Sequence, residues 1–387
     1  MKKRSKSSLA KAGGITLALA VMASVSVAPV FKSALAEPGN FSNMYDSWEE
    51  TLEAGARLNI QLANEGFVLM KNNGALPLAK EERNVTLLGT ESYTIQSGGG
   101  GSGGLSRPNV ASASASASTI VTSLGDAGFK INPRVRAKYG NGNNTDTNKY
   151  MNIVEENSEG LVEFGGKHYA PASNSFLNGV DDNLEIYGDA VVLNFIRTGS
   201  EGYDNPAYTG GGKTVTGHAD IHEHYQQLRD AERELLAYAK YHKEVVGDVN
   251  KIIVIVNSPN VLEVGDIEDD DAIDSMLWIG TTGWNGADAV GKILTGEVNP
   301  SGHLVDFWQR SLLDDPTYYN FSNNNQVGYL IDGNYGTLAL GTGNTSAGNT
   351  VPMKHTEDSE TTQTGMMVSY SEGLFAGYRY FESVAAD

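Results

Sequence analysis

The sequence predicts an α/β fold, a mostly parallel sheet with helices on both faces, preceded by a signal peptide. Short apolar runs bounded by polar residues or glycine read as buried strands: NVTLLG (84–89), AVVLNFI (190–196), KIIVIVNS (251–258) and SMLWIG (275–280). Helical patterns lie between them, and strands alternating with helices favour a parallel sheet covered on both sides. A basic and then apolar head stands in front of all of these.

That head opens MKKRSKSSLAKAGG, continues with the apolar stretch from Ile15 to Phe31, and ends in Ala34-Leu35-Ala36. Basic start, apolar middle and a small-residue site describe a secretory signal over residues 1–36, cut after Ala36. The apolar stretch is also near the lower limit for a bilayer span, so a retained signal would act as a membrane tether. Either way the location expected is secreted or cell-surface.

Next, residues 47–70 place Leu52, Ala56, Leu58, Ile60, Leu62 and Ala63 at helical spacing, with the helix ending near Asn64–Gly66. KNNGALPL (71–78) is a turn leading into a strand. ASASASAS (111–118) is low in complexity, yet with Ile120, Val121 and Leu124 it fits a helix start. Residues 225–246 carry Leu228, Ala231, Leu235, Leu236 and Ala239 on one face, and Gly247 stops the run. NGADAVGKILT (285–295) is a shorter helix. Residues 140–150 and 320–366, rich in Asn, Gly and Thr, read as long loops or insertions.

The formal charge is −19, and it becomes −25 once the six Lys/Arg of residues 1–36 are removed with no acid among them. Such a surface repels phosphate backbones, which argues against nucleic acid as a partner, while a neutral sugar meets no penalty. There is no cysteine, so disulfides and thiolate metal sites are excluded. Eighteen tyrosines and four tryptophans suit stacking on sugar rings, and equally suit a core.

Four stretches are candidates for chemistry. SGGGGSGG (97–104) lacks the Lys-Ser/Thr of a P-loop and the dinucleotide spacing. It offers backbone that approaches a ligand closely, with N–H groups free to donate, or else is a flexible hairpin tip. His218, His222 and His224 cluster, but the H-E-x-x-H pattern fails and no third ligand follows, so a polar helix start is preferred to metal. DIEDDDAID (266–274) has Asp271 where a calcium loop needs glycine, so it reads as a solvated acidic loop. No G-x-S-x-G elbow supplies a serine nucleophile. RTGSEGYDN (197–205) leaves a buried strand and at once presents Glu201 and Asp204 between glycines. A sheet edge is where α/β proteins display catalytic groups, and also where ordinary turns sit.

Together, ANEGFVLMKNNGALPL (63–78), VTLLG with SGGGGSGG, GSEGYDN, TGEVNPSGHLVDFW (295–308) and YSEGLFAGYRYFE (370–382) resemble glycoside hydrolase family 3, the β-glucosidase type. The likeness runs over roughly residues 47–385 in order and spacing, and it is to the α/β-sandwich domain usually labelled C-terminal. It implies a lead-in helix and linker over 37–82 and the sandwich domain over 83–387, with a loop-rich insertion at about 320–366. The sandwich directly follows the signal, as in the family's inverted-order subgroup. The (β/α)₈ barrel with its nucleophilic aspartate is absent from this chain, so the chain alone is expected to be inactive.

By the same resemblance Glu201 is the general acid/base of a retaining β-glycosidase acting on β-linked oligosaccharides or aryl glycosides, of β-glucosidase or β-xylosidase type. Asp204 orients it or accepts a sugar hydroxyl, and Gly101 and Ser102 line an outer subsite. No cofactor and no metal are implied. The alternative is a non-catalytic carbohydrate-binding or cell-surface module on the same fold, since fold does not fix function.

Overall fold

The computed structural model describes residues 44–105, 117–139, 151–154, 161–171, 177, 183–199, 226–311, 314–317, 328–331, 334–337, 351–353, 363–365 and 372–385. The predicted signal peptide and residues 140–150 lie outside these, as do residues 111–116 of the Ala-Ser run. Two compact units divide at Gly55. Of the first, residues 44–55 are described; they include the opening turns of helix α1 (Trp48–Gly66), where Ser47 Oγ accepts from the Glu50 amide at 3.1 Å.

The second unit is built on one six-stranded sheet. Its strands are β1 (Val68–Asn72), β2 (Asn84–Leu88), β3 (Lys130–Ile131), β7 (Ala190–Ile196), β8 (Ile252–Asn257) and β9 (Ser275–Trp278), in the spatial order β3-β2-β7-β8-β9-β1. All neighbours run parallel except β1, which pairs antiparallel with β9 and carries a register shift between Leu69 and Lys71. The segment predicted as a lead-in over 37–82 therefore also supplies the sheet's edge strand.

Why the central strands read as unbroken apolar runs is visible in their period of two. Val191, Leu193 and Phe195 of β7 and Ile252, Val254 and Val256 of β8 join one core cluster. Ala190 and Val192, with Ile253 and Ile255, join the other. Both faces of each strand are buried, so no polar alternation survives.

The first face is covered by α5 (Asp230–Tyr241) through Leu235, Leu236 and Ala239, and by a small antiparallel sheet of β4 (Met151–Val154), β5 (Val162–Phe164) and β6 (Lys167–Pro171). Helix α5 runs on as a π-turn over His242–Val246 and stops at left-handed Gly247, where the predicted helix ends. The second face is covered by α2 (Ile120–Asp126) and α7 (Asp288–Thr295), with Ala63 of α1. Helix α2 starts where its sequence permits: Thr119 Oγ1 accepts from the Thr122 amide at 3.1 Å and Thr122 Oγ1 accepts from the Thr119 amide at 2.8 Å. It lies close on α7, since a Cβ on Gly291 would stand 2.3 Å from the Ser123 carbonyl oxygen.

Short helices α3 (Pro133–Tyr139), α4 (Leu184–Tyr187) and α6 (Gly265–Asp269) fill connections. Where 320–366 was predicted as loop, the described residues form two short antiparallel pairs, β10 (Gly328–Ile331) with β11 (Asn334–Thr337) and β12 (Val351–Met353) with β13 (Gln363–Gly365). Helix α8 (Tyr378–Ala385) closes the described chain.

Candidate active site

The strand order reverses between β2 and β7. After β2 the chain moves outward to β3, then returns to the other side of β2 for β7 and continues to β8 and β9. In open α/β sheets, ligands bind beyond the carboxyl ends of the strands at such a switch point. Both the glycine loop and the exit of β7 lie there.

The chain leaves β2 through Gly89, at φ 83°, and a Cβ there would stand 2.8 Å from Leu235 Cδ1. Only glycine serves this bend without strain. A 3₁₀ turn over Thr90–Tyr93 follows, pinned by Ser92 Oγ, which donates to the Leu88 carbonyl at 2.5 Å and accepts from the Asn194 amide at 2.9 Å. Next, Gln96 is clasped by the last residue of β8. Asn257 Oδ1 accepts from the Gln96 amide at 2.6 Å, and its Nδ2 donates to the Gln96 and Gly280 carbonyls at 3.1 and 2.5 Å.

From this root the glycine loop folds on itself. Gly99 N donates to Gly103 O, Gly103 N to Gly100 O and Gly104 N to Gly101 O, while Gly100 N donates to Gly199 O at 2.8 Å. Four of the N–H groups predicted to be free for a ligand are thus consumed, because a run of small residues can close its own turns. Gly101, at φ 61°, and Ser102 stand exposed at the tip.

The exit of β7 is held by charge. Arg197, 1% exposed, forks onto Glu232 of α5, 3% exposed, with Nη1–Oε1 and Nη2–Oε2 both at 2.7 Å. Glu232 also accepts from the Arg229 amide, Nε and Nη2 at 2.8, 3.0 and 2.5 Å. Arg229 Nη2 reaches Glu91 Oε1 at 2.5 Å, and Glu91 Oε2 accepts from the Ile196 amide at 2.7 Å. Burial pushes the Glu91 carboxyl above its ordinary value, against the pull of the Arg229 guanidinium. Burial pushes the Glu232 carboxyl up, but Arg197 and Arg229 outweigh it and hold the carboxyl well below the ordinary carboxylate value. Burial works to lower Arg229, and Glu232 with Glu91 reverses it, so its guanidinium is held all the more firmly charged.

Residues 67–378 match the family model described as the glycosyl hydrolase family 3 C-terminal domain. The chain belongs to glycosyl hydrolase family 3. Among relatives, a beta-glucosidase of Ruminococcus albus is 25% identical over 342 residues, covering 88% of this chain and 27% of the relative. Beta-glucosidase A of Butyrivibrio fibrisolvens is 24% identical over 341 residues, covering 84% and 32%. This chain therefore spans about a third or less of the length of these curated relatives. Beta-glucosidase 3B from Thermotoga neapolitana, solved with glucose, shares the fold at a TM-score of 0.54 and 20% identity, over 86% of this chain and 37% of that one.

In this family 3 domain the structure brings the tip residues Gly101 and Ser102 to the same edge as the exit of β7. Glu201 and Asp204 lie outside the described residues, as do His218, His222 and His224. The described chain stops at Gly199, two residues before Glu201. Beside it stand Pro259 and Asn260, whose buried Nδ2 has no hydrogen-bond partner among the described residues.

The acidic stretch 266–274, predicted as a solvated loop, does leave Glu268, Asp269 and Asp271 exposed, but it begins in helix α6 and most of its acids are paired. Asp266 pairs with Arg233, Asp269 with Arg310, Asp270 with Lys240 and Asp274 with Lys243. The Lys71 ammonium, from edge strand β1, donates to the carbonyls of Ile267, Glu268 and Asp270 at 3.0, 2.9 and 2.8 Å. The partners are distant in sequence, so a charge run alone could not announce them. Among the described residues no three His, Asp or Glu side chains are grouped to hold a metal ion.

Sequence reasoning also passed over Arg197 and Glu232. A signal existed for each: an arginine directly after seven strand residues, and a glutamate three places after a helix-capping position.

Proposed function

We propose that this chain is the acid/base-bearing domain of a secreted retaining β-glycosidase that removes terminal β-linked sugars, glucosides or xylosides. The observation that carries this reading is the hydrogen bond from Gly100 N to Gly199 O at the switch point, which joins the glycine loop to the backbone two residues before Glu201. Family membership and relatives named beta-glucosidases support the reaction class.

Retaining hydrolysis needs two carboxyl groups about 5–5.5 Å apart, one as nucleophile and one as acid and then base. Glu201 takes the second role. It protonates the glycosidic oxygen as the bond breaks, then removes a proton from the water that releases the sugar. A carboxyl in that role works best with its pKa raised toward the operating pH, which burial and a second carboxylate do in such sites. Asp204 orients Glu201 or accepts a sugar hydroxyl, and exposed Gly101 and Ser102 border an outer subsite. The nucleophile comes from a partner domain, a (β/α)₈ barrel, so this chain by itself turns over nothing.

The test is kinetic. The 387-residue chain alone should leave a nitrophenyl β-glucoside intact. Joined to a nucleophile-bearing barrel, the wild type should hydrolyse it, and Glu201→Ala should lose roughly 10²–10⁴ in rate, partly restored by azide. An unchanged rate in Glu201→Ala would remove Glu201 from the role. Turnover by the chain alone would remove the need for a partner.

A further inference from the structure

We propose that Arg197 is a positioning residue: one buried guanidinium pinches together both ends of the segment 200–225 and so fixes where Glu201 is presented. The proposal deepens the function proposed above and rests on it for the role of Glu201.

The contacts fall on either side of that segment. Before it, Arg197 N donates to Asn257 O of β8 at 3.2 Å, and its Nη1 turns back to Ile196 O at 2.9 Å. Beyond it, Nη2 donates to Gln227 O at 2.7 Å. Glu232 fixes the plane of the fork through two bonds and is itself fixed by Arg229. Gln226 is tied down as well, its carbonyl accepting from Glu263 N at 2.8 Å and its Nε2 donating to Val261 O at 3.0 Å. The segment of 26 residues between Gly199 and Gln226 thus leaves and re-enters the fold at one point.

Stability does not require a charge here. A buried ion pair replaced by apolar groups of similar volume is often no less stable, so what the pair uniquely supplies is a fixed geometry. Only a planar fork with five donors can hold a carboxylate and two carbonyls at once. Glu201 lies two residues past Gly199, within about 7 Å of it along an extended chain. A catalytic carboxyl misplaced by about an ångström can cost about 10²-fold in rate, so the anchoring of the described backbone beside it matters.

Two variants separate positioning from folding. Arg197→Lys keeps the charge opposite Glu232 but loses the fork. Arg197→Met/Glu232→Leu removes the pair without leaving a buried charge alone. In the 387-residue chain, hydrogen exchange in both should show lost protection at the Gly100 amide, with β8 protected as in wild type. With the barrel attached, kcat should fall about 10²-fold for a poor aryl leaving group and far less for a dinitrophenyl one, with KM little changed and azide partly restoring the rate. That is the signature of a displaced acid/base, and loosening of the fold would not produce it. Wild-type kinetics in a variant, where Glu201→Ala is disabled, would overturn the proposal. So would unchanged Gly100 protection. If Glu201→Ala itself is fully active, the functional reading fails and the exchange result alone decides whether the clamp exists.

Discussion

Replacing Glu232 by Gln deletes one negative charge from a buried site while keeping its volume. The carboxylate accepts five hydrogen bonds, two from Arg197 and three from Arg229. Each bond to a charged group is worth about 1.5–3 kcal/mol, but burying the charges costs much of that sum. The amide of Gln accepts only through its oxygen, and its NH₂ faces guanidinium donors. Arg229 keeps Glu91, and Arg197 keeps the Ile196 and Gln227 carbonyls but loses the carboxylate it forks onto. Breaking one side of such a pair costs about 3–5 kcal/mol, and that is the loss expected near neutral pH. Urea unfolding measures it as a lower midpoint at unchanged slope.

The pH dependence supplies a second check on the same variant. Arg197 and Arg229 hold the folded-state pKa of Glu232 below its ordinary value of 4.5. A carboxyl depressed on folding stabilises above its unfolded pKa, and that stability is lost as pH falls through the folded value. The gap between wild type and Glu232→Gln should therefore be full at neutral pH and narrow as pH drops below 4.5. A difference under about 1 kcal/mol, as for an exposed pair, would refute this account. So would a gap that stays constant into acid.

Gly291→Ala should destabilise by about 1–3 kcal/mol, because the new methyl meets the Ser123 carbonyl at 2.3 Å and α2 cannot yield without disturbing the core. Wild-type stability in thermal melts would contradict that packing. Lys71→Met strands three carbonyls at the end of α6 and should cost about 1 kcal/mol, as one shared, partly exposed donor is lost. Added calcium should not shift the melting of wild type or variant, since the neighbouring carboxylates already face Arg and Lys; a rise would show a cation site at 266–274.

Elements governed by their nearest neighbours were legible in advance. The strand run 251–258 appears as Ile252–Asn257, and the helix predicted to stop at Gly247 does so in a left-handed cap. The glycine loop and the exit of β7 were recognisable as candidates because glycine and charge beside an apolar run are local signs. The acidic stretch misled in part, since its meaning depends on Lys71, Arg233, Lys240 and Lys243, none of which is adjacent in the chain. The antiparallel pairing of Gly328–Ile331 with Asn334–Thr337 was hidden because four-residue strands are too short to show a period.

The sequence by itself determined that this is a mostly parallel α/β protein, since apolar period and caps are properties of the chain read one stretch at a time, and its motifs carried the resemblance to family 3. Only the tertiary structure decided the strand order β3-β2-β7-β8-β9-β1, the reversed edge strand, and the joining of Arg197 to Gln227 and Glu232 across the segment that carries Glu201. Those are pairings between distant residues. Burial of both sheet faces and satisfaction of a buried charge select them, and neither force acts until the chain has closed on itself.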